Sequence, residues 1–337
     1  MNPAVPKKHI YIYSPSGAVR DKAAFKRGIA RLQALGHEVE VDQDALASHQ
    51  RFAGTDETRL AAIHRAAASG ADMALISRGG YGITRILGGI RYKVVAKAID
   101  QGMLFVGISD FTAFSQAVLA KTGSITWAGP ALCEGFGVGG KPDSADGHGH
   151  GEQAVPDDIM EDCFNDLITR QGEGTGWRQG REAKSGAIDS IATNAYQARA
   201  DGTFHIKNSV LWGGNLTVLS ALVGTPYFPQ IKGGVLFLED VAEHPYRVER
   251  MLTQLLLAGV LARQKAIVLG QFTEYTLVPH DRGFKLQTVV NWLRSQLKIP
   301  VLTNLPYGHV ATKVLLPVGA RIDLVVEGRD TLMVWGH

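Results

Sequence analysis

The sequence predicts an α/β protein with an N-terminal parallel sheet flanked by helices and a strand-rich C-terminal α/β domain. Over the first 130 residues, strand-like and helix-like segments alternate, a pattern typical of a parallel sheet covered by helices. Residues 135–186 then change character, because they are rich in Gly and His. After this segment, several short apolar runs have strand character, which indicates a second domain.

Each element of the N-terminal part follows from a local pattern. Short apolar runs predict buried strands, and longer segments with apolar residues at helical spacing predict helices. The second helix is also marked by the capping pattern Thr55-Asp56-Glu57 at its start. The predicted order is strand His9–Ser14, helix Asp21–Leu35, strand Glu38–Val41, helix Asp56–Ser69, strand Ala71–Ser77, helix Tyr92–Gln101, strand Met103–Ile108 and helix Phe111–Thr122.

The domain boundaries follow from composition. We predict an N-terminal domain over 1–134, a flexible Gly- and His-rich linker over 135–186 containing a short acidic helix at Pro156–Ile168, and a C-terminal domain over 187–337. His148 and His150 lie in a Gly tract that gives no fixed metal geometry, so a solvated loop is preferred. The predicted C-terminal elements are strand Val235–Leu238, helix Pro245–Ala258, strand Lys265–Leu269, helix Asp281–Leu297, and strands Val301–Asn304, Val314–Pro317, Arg321–Val326 and Thr331–Trp335.

Composition limits the classes of function. The chain has 337 residues, of which 45% are hydrophobic and 20% charged, as in an ordinary globular protein. A net charge of +3 without a Lys/Arg tract favours neither a nucleic-acid nor a membrane partner. The two cysteines, Cys133 and Cys163, are too few for a disulfide framework. The sequence also shows no signal-peptide pattern and no apolar segment of membrane length. We therefore expect a cytoplasmic protein. Neither a metal nor a cofactor is expected.

Ser109 is the residue around which we interpret the chemistry. It falls at the corner between the predicted strand Met103–Ile108 and the predicted helix Phe111–Thr122, where free N–H groups of the helix start point towards the hydroxyl's target. A serine at such a corner is typical of a nucleophile-elbow-like turn. The stretch Gly107-Ile108-Ser109-Asp110-Phe111 nevertheless differs from the usual Gly-x-Ser-x-Gly pattern. The alternative is that Ser109 or Asp110 only caps the helix.

A second signal is the stretch Arg78-Gly79-Gly80-Tyr81-Gly82, which follows a predicted buried strand. Glycines let backbone N–H groups approach a ligand closely and donate to a phosphate or to the oxyanion of a tetrahedral intermediate. The stretch is neither a Walker loop nor a dinucleotide-binding motif, and the alternative is a tight turn. Because ligands bind beyond the carboxyl ends of parallel strands, this stretch and Ser109 are expected to face the same cleft.

A serine nucleophile needs a base within hydrogen-bond reach and a third group that holds the base. Glu239, at the end of a buried strand, is the acid candidate. His309 is the base candidate, because a loop that follows a strand and is flanked by Pro306 and Gly308 is a typical place to display a site residue. Eleven histidines leave other bases open. The alternative for Glu239 and Asp240 is a pair of carboxylates that simply ends a strand.

Five motifs, in the same order along the chain, resemble those of the LD-carboxypeptidases, serine peptidases related to the muramoyltetrapeptide carboxypeptidases of peptidoglycan recycling. The motifs are Ser77-Arg78-Gly79-Gly80-Tyr81-Gly82; Gly107-Ile108-Ser109-Asp110-Phe111-Thr112; Gly213-Gly214-Asn215-Leu216 with Gly224-Thr225-Pro226; Leu236-Phe237-Leu238-Glu239-Asp240-Val241 with Pro245-Tyr246-Arg247; and Gly308-His309 with Leu316-Pro317-Val318-Gly319.

The resemblance implies that Ser109 is the nucleophile, Glu239 the triad carboxylate and His309 the base. It also implies that the backbone N–H groups of Gly80 and Asp110 are the oxyanion donors. The implied reaction removes the terminal D-alanine from a murein tetrapeptide, and the implied assembly is a homodimer.

Expected substrate contacts are Arg78, Tyr81 and Gly79. A carboxypeptidase must recognise a free carboxylate, for which the guanidinium of Arg78 is a candidate donor. The alternative for Arg78 is a salt bridge at the edge of its domain.

Two segments depart from the family pattern, and both concern substrate specificity. The first is Thr126-Trp127-Ala128-Gly129-Pro130, where the family more usually has a His-Gly-Pro run. The second is the long Gly- and His-rich linker over 135–186. One alternative function resembles that of the microcin C self-immunity enzymes, which cleave an aminoacyl-nucleotide analogue with the same triad. In that case Trp177, or another aromatic residue of the linker, could stack on a purine, although Trp177 could equally be a packing anchor. The other alternative is a non-catalytic protein that binds an anionic small molecule.

Overall fold

The computed structural model describes residues 6–139, 155–180 and 203–336. The chain forms two compact units, and each unit is built from several separate segments. The first comprises Met1–Phe114, Thr126–Gly172 and Ala311–Leu316, and the second comprises Ser115–Ile125, Glu173–Val310 and Pro317–His337.

Most predicted elements are present, and the ends differ by a few residues. Among the described residues the strands are β1 (His9–Tyr13), β2 (Glu38–Val41), β3 (Met73–Ile76), β4 (Leu104–Gly107), β5 (Thr126–Ala128), β6 (Gly174–Arg178), β7 (Phe204–Asn215), β8 (Val235–Val241), β9 (Ala266–Thr273), β10 (Val301–Leu302), β11 (Leu316–Val318), β12 (Arg321–Glu327) and β13 (Asp330–Val334). The α-helices are α1 (Lys22–Ala34), α2 (Asp56–Ala68), α3 (Ile83–Ile86), α4 (Tyr92–Asp100), α5 (Phe111–Thr122), α6 (Asp158–Thr169), α7 (Leu216–Ala221), α8 (Pro245–Leu257) and α9 (Leu286–Gln296).

The first unit contains the predicted parallel sheet. Its strand order is β11-β5-β4-β3-β1-β2, and the pairs β5–β4, β4–β3, β3–β1 and β1–β2 are parallel. All four residues of β3 are buried, as expected for a strand covered on both faces. The helices begin at caps that the sequence supplies: Asp21 accepts from the Ala24 N–H, and Thr55 accepts from the Thr58 N–H.

The second unit is built on a mixed, strand-rich sheet, as predicted. Its order is β10-β9-β8-β7-β12-β13-β6; the four strands from β10 to β7 are parallel, and the rest pair antiparallel. The long strand β7 lies at the junction between the two pairing modes. The sequence did not predict it, because Asn208, Gly213 and Gly214 look like strand breakers.

The segment 135–186, predicted as a flexible linker, contains regular structure where it is described. Helix α6 is the predicted acidic helix, and it packs Met160 and Phe164 into the core of the first unit, while β6 is a strand of the second unit. Apolar residues at helical spacing explain why α6 joins a core instead of remaining a solvated linker. His148 and His150 lie outside the described residues, and the domain boundaries at 134 and 186 stay a prediction.

No described helix has both the length and the apolar character that crossing a bilayer requires.

Candidate active site

Ser109 occupies a strained backbone conformation between β4 and α5. Its φ is +64°, in the left-handed region that residues with a Cβ rarely adopt. Neighbouring residues enforce the sharp turn: a Cβ at Gly107 would lie 2.5 Å from Cγ of Phe111. Strain of this kind costs about 1–3 kcal/mol and is concentrated at functional sites. The turn therefore has the conformation of a nucleophile elbow.

The predicted Gly stretch lies directly beside Ser109. A Cβ at Gly79 would be 2.7 Å from Cβ and 3.0 Å from Oγ of Ser109, so only glycine fits without displacement. Gly80 has a φ of +115°, and Gly79 accepts a hydrogen bond from the Gly17 N–H. Among the described residues, no hydrogen bond uses the backbone N–H of Gly80 or of Asp110. Both groups are thus available as donors next to the Ser109 hydroxyl.

The carboxylate of Asp110 holds this arrangement together. It is 1% exposed and accepts hydrogen bonds from Ser16 Oγ at 2.5 Å and from the Ile83 N–H at 2.9 Å. Burial raises the pKa of Asp110 above its ordinary value, and the Ser16 and Ile83 hydrogen bonds oppose that rise. The side chain therefore ties two loops, those of Ser16 and of the Gly stretch, to the turn at Ser109.

The other proposed contacts of this stretch differ in their availability. Arg78 is mostly buried; its guanidinium donates to the carbonyl oxygen of Ala18 and lies 3.5 Å from the Glu134 carboxylate. This ion pair was the alternative interpretation of Arg78. Tyr81 is 46% exposed, and the guanidinium of Arg51 lies 5.7 Å from the centre of its ring.

In the second unit, the structure brings Glu239 and His309 together. Nδ1 of His309 lies 2.9 Å from Oε2 of Glu239. Glu239 is fully buried, and the His309 side chain is 20% exposed. Gly308 has a φ of +141°, and a Cβ there would lie 3.0 Å from the Gln271 carbonyl and 3.3 Å from Glu239 Oε2. Glycine before the histidine is therefore required for this approach.

Sequence reasoning gave no role to Asn215 and Asp240, which complete the surroundings of Glu239. Asn215 Nδ2 lies 3.2 Å from Oε1 of Glu239 and 2.9 Å from Oδ1 of Asp240. Burial, followed by the charge of Glu239, raises the pKa of Asp240 to about 6. The signal that could have found them is their position, since β7 and β8 are adjacent parallel strands and both residues lie at their carboxyl ends.

Trp177 and Trp127, which lie in the two segments that depart from the family pattern, are packing residues. Trp177 in β6 is 9% exposed, and its indole N–H donates to the Thr303 carbonyl at 3.1 Å. Trp127 belongs to β5 and packs against the core of the first unit. The structure thus gives Trp177 the anchoring role that was the alternative to purine stacking.

Comparisons with known proteins agree with this geometry. The model of the LD-carboxypeptidase N-terminal domain matches residues 10–129, and that of the LD-carboxypeptidase C-terminal domain matches residues 208–324. A protein of Synechocystis sp., whose name is that of a carboxypeptidase, is 30% identical over 330 residues, which cover 96% of this chain and 93% of that protein.

Two solved structures share the fold. The crystal structure of a muramoyltetrapeptide carboxypeptidase from Oxalobacter formigenes has a TM-score of 0.78 and 36% identity, and the match covers 98% of this chain and 99% of that one. The microcin C7 self-immunity protein in complex with aspartyl sulfamoyl adenosine has a TM-score of 0.77 and 22% identity over 99% of both chains. At 22% identity the likeness concerns the fold alone.

These matches define the class of the protein as a serine peptidase. Within that class, the chain belongs to the LD-carboxypeptidase family.

Proposed function

We propose that the protein is a serine LD-carboxypeptidase that releases the terminal D-alanine of a murein tetrapeptide in peptidoglycan recycling. The observation that carries the proposal is the hydrogen bond between buried Glu239 and His309, in a chain whose Ser109 has the strained conformation of a nucleophile elbow. The name of the Oxalobacter formigenes structure, 36% identical to this chain, supports the substrate.

In the proposed acylation step, Ser109 Oγ attacks the carbonyl carbon of the scissile peptide bond while Nε2 of His309 takes the hydroxyl proton. Glu239 accepts the Nδ1–H of His309 and stabilises the imidazolium that forms. Backbone N–H groups of Gly80 and Asp110 stabilise the oxyanion; one such donor is typically worth about 10²–10³-fold in rate. The intermediate collapses when the C–N bond breaks and His309 gives its proton to the leaving D-alanine nitrogen.

In the proposed deacylation step, water attacks the carbonyl carbon of the ester on Ser109. His309 takes a proton from that water, and the C–O bond to Ser109 then breaks as the serine oxygen recovers the proton. The products are the tripeptide with a new carboxylate and free enzyme.

Substrate contacts by Gly79, Arg78 and Tyr81 remain part of the proposal. The exposure of Tyr81 supports a role for its ring in lining the bound peptide, and Gly79 supports a close approach of backbone to substrate because a side chain there would collide with Ser109. Arg78 is held by Glu134 and Ala18, so it would have to exchange a partner to bind a substrate carboxylate directly.

We also propose that the protein acts in the cytoplasm as a homodimer. Cys133 and Cys163 are free thiols, which supports a reducing compartment. Cell fractionation and light scattering of the purified protein test these two points, and a periplasmic or monomeric protein would refute the respective point.

The decisive experiment incubates a tetrapeptide of L-Ala, D-Glu, meso-diaminopimelate and D-Ala with the wild type and with Ser109→Ala. Mass spectrometry should show loss of one D-alanine with the wild type and a drop in turnover of about 10⁶-fold with the variant. Ser295→Ala, at an exposed serine in α9, is the matched control and should behave as wild type. An intact tetrapeptide in the wild-type sample would overturn the proposed substrate.

The alternative substrate, an aminoacyl-nucleotide conjugate, rests on the fold that the chain shares with the microcin C7 self-immunity protein. The anchoring of Trp177 to Thr303 disfavours it, because this ring has no free face of the kind a stacking partner needs. Cleavage of aspartyl sulfamoyl adenosine by the wild type, with no D-alanine released from tetrapeptide, would establish the alternative. Membership of a serine peptidase family argues against a protein that only binds a small molecule.

A further inference from the structure

Two adjacent carboxylates at the end of β8 turn towards one amide. Successive residues of a strand normally point to opposite faces, yet Glu239 and Asp240 both accept hydrogen bonds from Nδ2 of Asn215. The pairing with β9 is irregular at this point, because Leu238 pairs with Leu269 but Asp240 pairs with Phe272. Such bulges re-aim side chains next to active sites.

Asn215 is held in one orientation. Its Oδ1 accepts from the Val218 N–H at 3.1 Å, in the first turn of α7, so Nδ2 must face the carboxylates. An amide nitrogen carries two hydrogens, which leaves one N–H for Glu239 and one for Asp240. Glu239 then presents Oε1 to Asn215 and Oε2 to His309.

Hydrogen-bond donors contact both carboxylate oxygens of Asp240. Its Oδ2 accepts from the N–H of Thr217 at 2.9 Å and from Thr217 Oγ1 at 2.8 Å, and its Oδ1 accepts from the Val241 N–H at 2.9 Å in addition to Asn215. Asp240 is 2% exposed, and none of the ion pairs among the described residues includes it. Burying a carboxylate beside another is costly unless hydrogen bonds offset the loss of water, and here four donors converge on it.

We propose that Asp240 is a positioning residue that orients Glu239 through Asn215. Asp240 holds the Asn215 amide so that its other N–H binds Oε1 of Glu239, which directs Oε2 to Nδ1 of His309. The consequence for turnover rests on the proposed function, whereas the effect on the Glu239–His309 hydrogen bond does not.

Asp240→Asn tests this arrangement with little change of shape. The asparagine amide replaces one carboxylate oxygen by an NH₂ group, which cannot accept a hydrogen bond. In one orientation this NH₂ group faces the Thr217 N–H, and in the other it faces the N–H groups of Asn215 and Val241. Asn215 should then turn or withdraw, and the Glu239–His309 hydrogen bond should weaken.

Proton NMR of the substrate-free enzyme provides a readout that needs no substrate. The His309 Nδ1–H that faces Glu239 should give a downfield signal, identified by its absence in His309→Gln. Asp240→Asn should shift or abolish that signal. Asp42→Asn is the matched control: Asp42 is also 2% exposed and held by Tyr11 and Arg65 in the first unit, so this variant should leave the signal in place.

Kinetics supply the second readout. With the tetrapeptide, Asp240→Asn should lower kcat by about 10- to 100-fold, the range known for hydrogen-bond partners that orient a metal-binding histidine, with KM changed less than about twofold. An unchanged His309 signal in folded Asp240→Asn overturns the proposal. If that variant does not fold, Thr217→Val is the test, because it removes one hydrogen-bond donor to Asp240. It should shift the His309 signal in the same direction as Asp240→Asn but by less. An unshifted signal in Thr217→Val would refute the proposal. Failure of the wild type to cleave tetrapeptide refutes the proposed function and leaves the NMR result valid.

Discussion

At the scale of single residues, Ser109, the proposed nucleophile, has an unfavourable backbone angle. A Cβ in the left-handed region costs about 1–2 kcal/mol, and glycine avoids that cost. We therefore expect Ser109→Gly to be more stable than Ser109→Ala by about 1 kcal/mol, although both lose hydrolysis. Urea unfolding of the two variants measures the difference.

Ser115, inside α5, is the matched control for this comparison. There the order should reverse, with Ser115→Gly about 1 kcal/mol less stable than Ser115→Ala, because glycine is unfavourable within a helix. If Ser109→Ala were as stable as Ser109→Gly, the turn would not be strained.

His37 gives a prediction about pH. It is 4% exposed, and burial lowers its pKa below the ordinary value of 6.5. At mildly acidic pH the His37 side chain therefore binds a proton more readily in the unfolded chain than in the folded one. As a result, the contribution of His37 to the free energy of unfolding is highest above pH 6.5, where His37 is neutral in both states, and it decreases as the pH falls below 6.5. This loss is at most about 1.4 kcal/mol per pH unit for one proton.

The check is the free energy of unfolding at pH 7.5 and 5.5 for the wild type and His37→Gln. The wild type should lose more stability between the two pH values than the variant, because glutamine does not titrate. Equal losses would mean that His37 is protonated without penalty.

At the scale of elements, α7 shows how one side chain can serve both an element and the site. Asn215 caps α7 through Oδ1 and binds two carboxylates through Nδ2. Asn215→Ser keeps a good capping group but loses the amide, whereas Asn215→Ala loses both functions. We expect Asn215→Ala to be about 1 kcal/mol less stable than Asn215→Ser, with kcat reduced in both. Wild-type turnover in Asn215→Ser would show that capping is the only role of the residue.

The elements with clear periodicity could be predicted from the sequence. Both β2 and α5 have the predicted bounds, and Ser109 follows β4 at the predicted corner, because local apolar patterns determine such segments. Strand β7 could not be predicted in this way. Its Gly213 has a φ of +128° and lies so close to the Phe237 carbonyl that a Cβ would collide with it, a constraint that comes from β8 and not from the local sequence.

For the proposed site, the sequence likewise indicates some residues and not others. Glu239 and His309 follow from strand ends and a Pro/Gly loop, and their hydrogen bond is present. The contribution of Asp240 was not predictable, since it depends on irregular pairing with β9 and on the orientation of Asn215. Gly270, opposite that irregularity, also shows why: a Cβ there would lie 2.5 Å from the Tyr307 carbonyl, so the register depends on a loop distant in sequence.

At the scale of the whole molecule, the first unit takes its core from distant parts of the chain. Phe164 and Met160 of α6 and Leu315 pack with Leu132 and Phe136 in one cluster. A fragment of residues 1–134 lacks four of these five side chains and keeps only Leu132. We expect this fragment to be expanded and to bind a hydrophobic dye, with weak near-ultraviolet circular dichroism, whereas the full chain has native spectra.

Leu315→Ala in the full chain tests the same dependence without truncation. Leu315 is 3% exposed, so its removal should cost about 2–5 kcal/mol of stability. A compact fragment 1–134 together with a mild Leu315→Ala variant would show that the first unit is complete without its C-terminal segment.

The position of Leu315 also has a consequence for protein synthesis. Domains near the N-terminus usually fold while the ribosome is still adding the rest of the chain. Here the first unit includes Ala311–Leu316, so we expect its core to stay incomplete until residues 311–316 have been translated. On this expectation the nascent chain exposes apolar core residues through most of its elongation, and we expect it to bind chaperones at the exit tunnel.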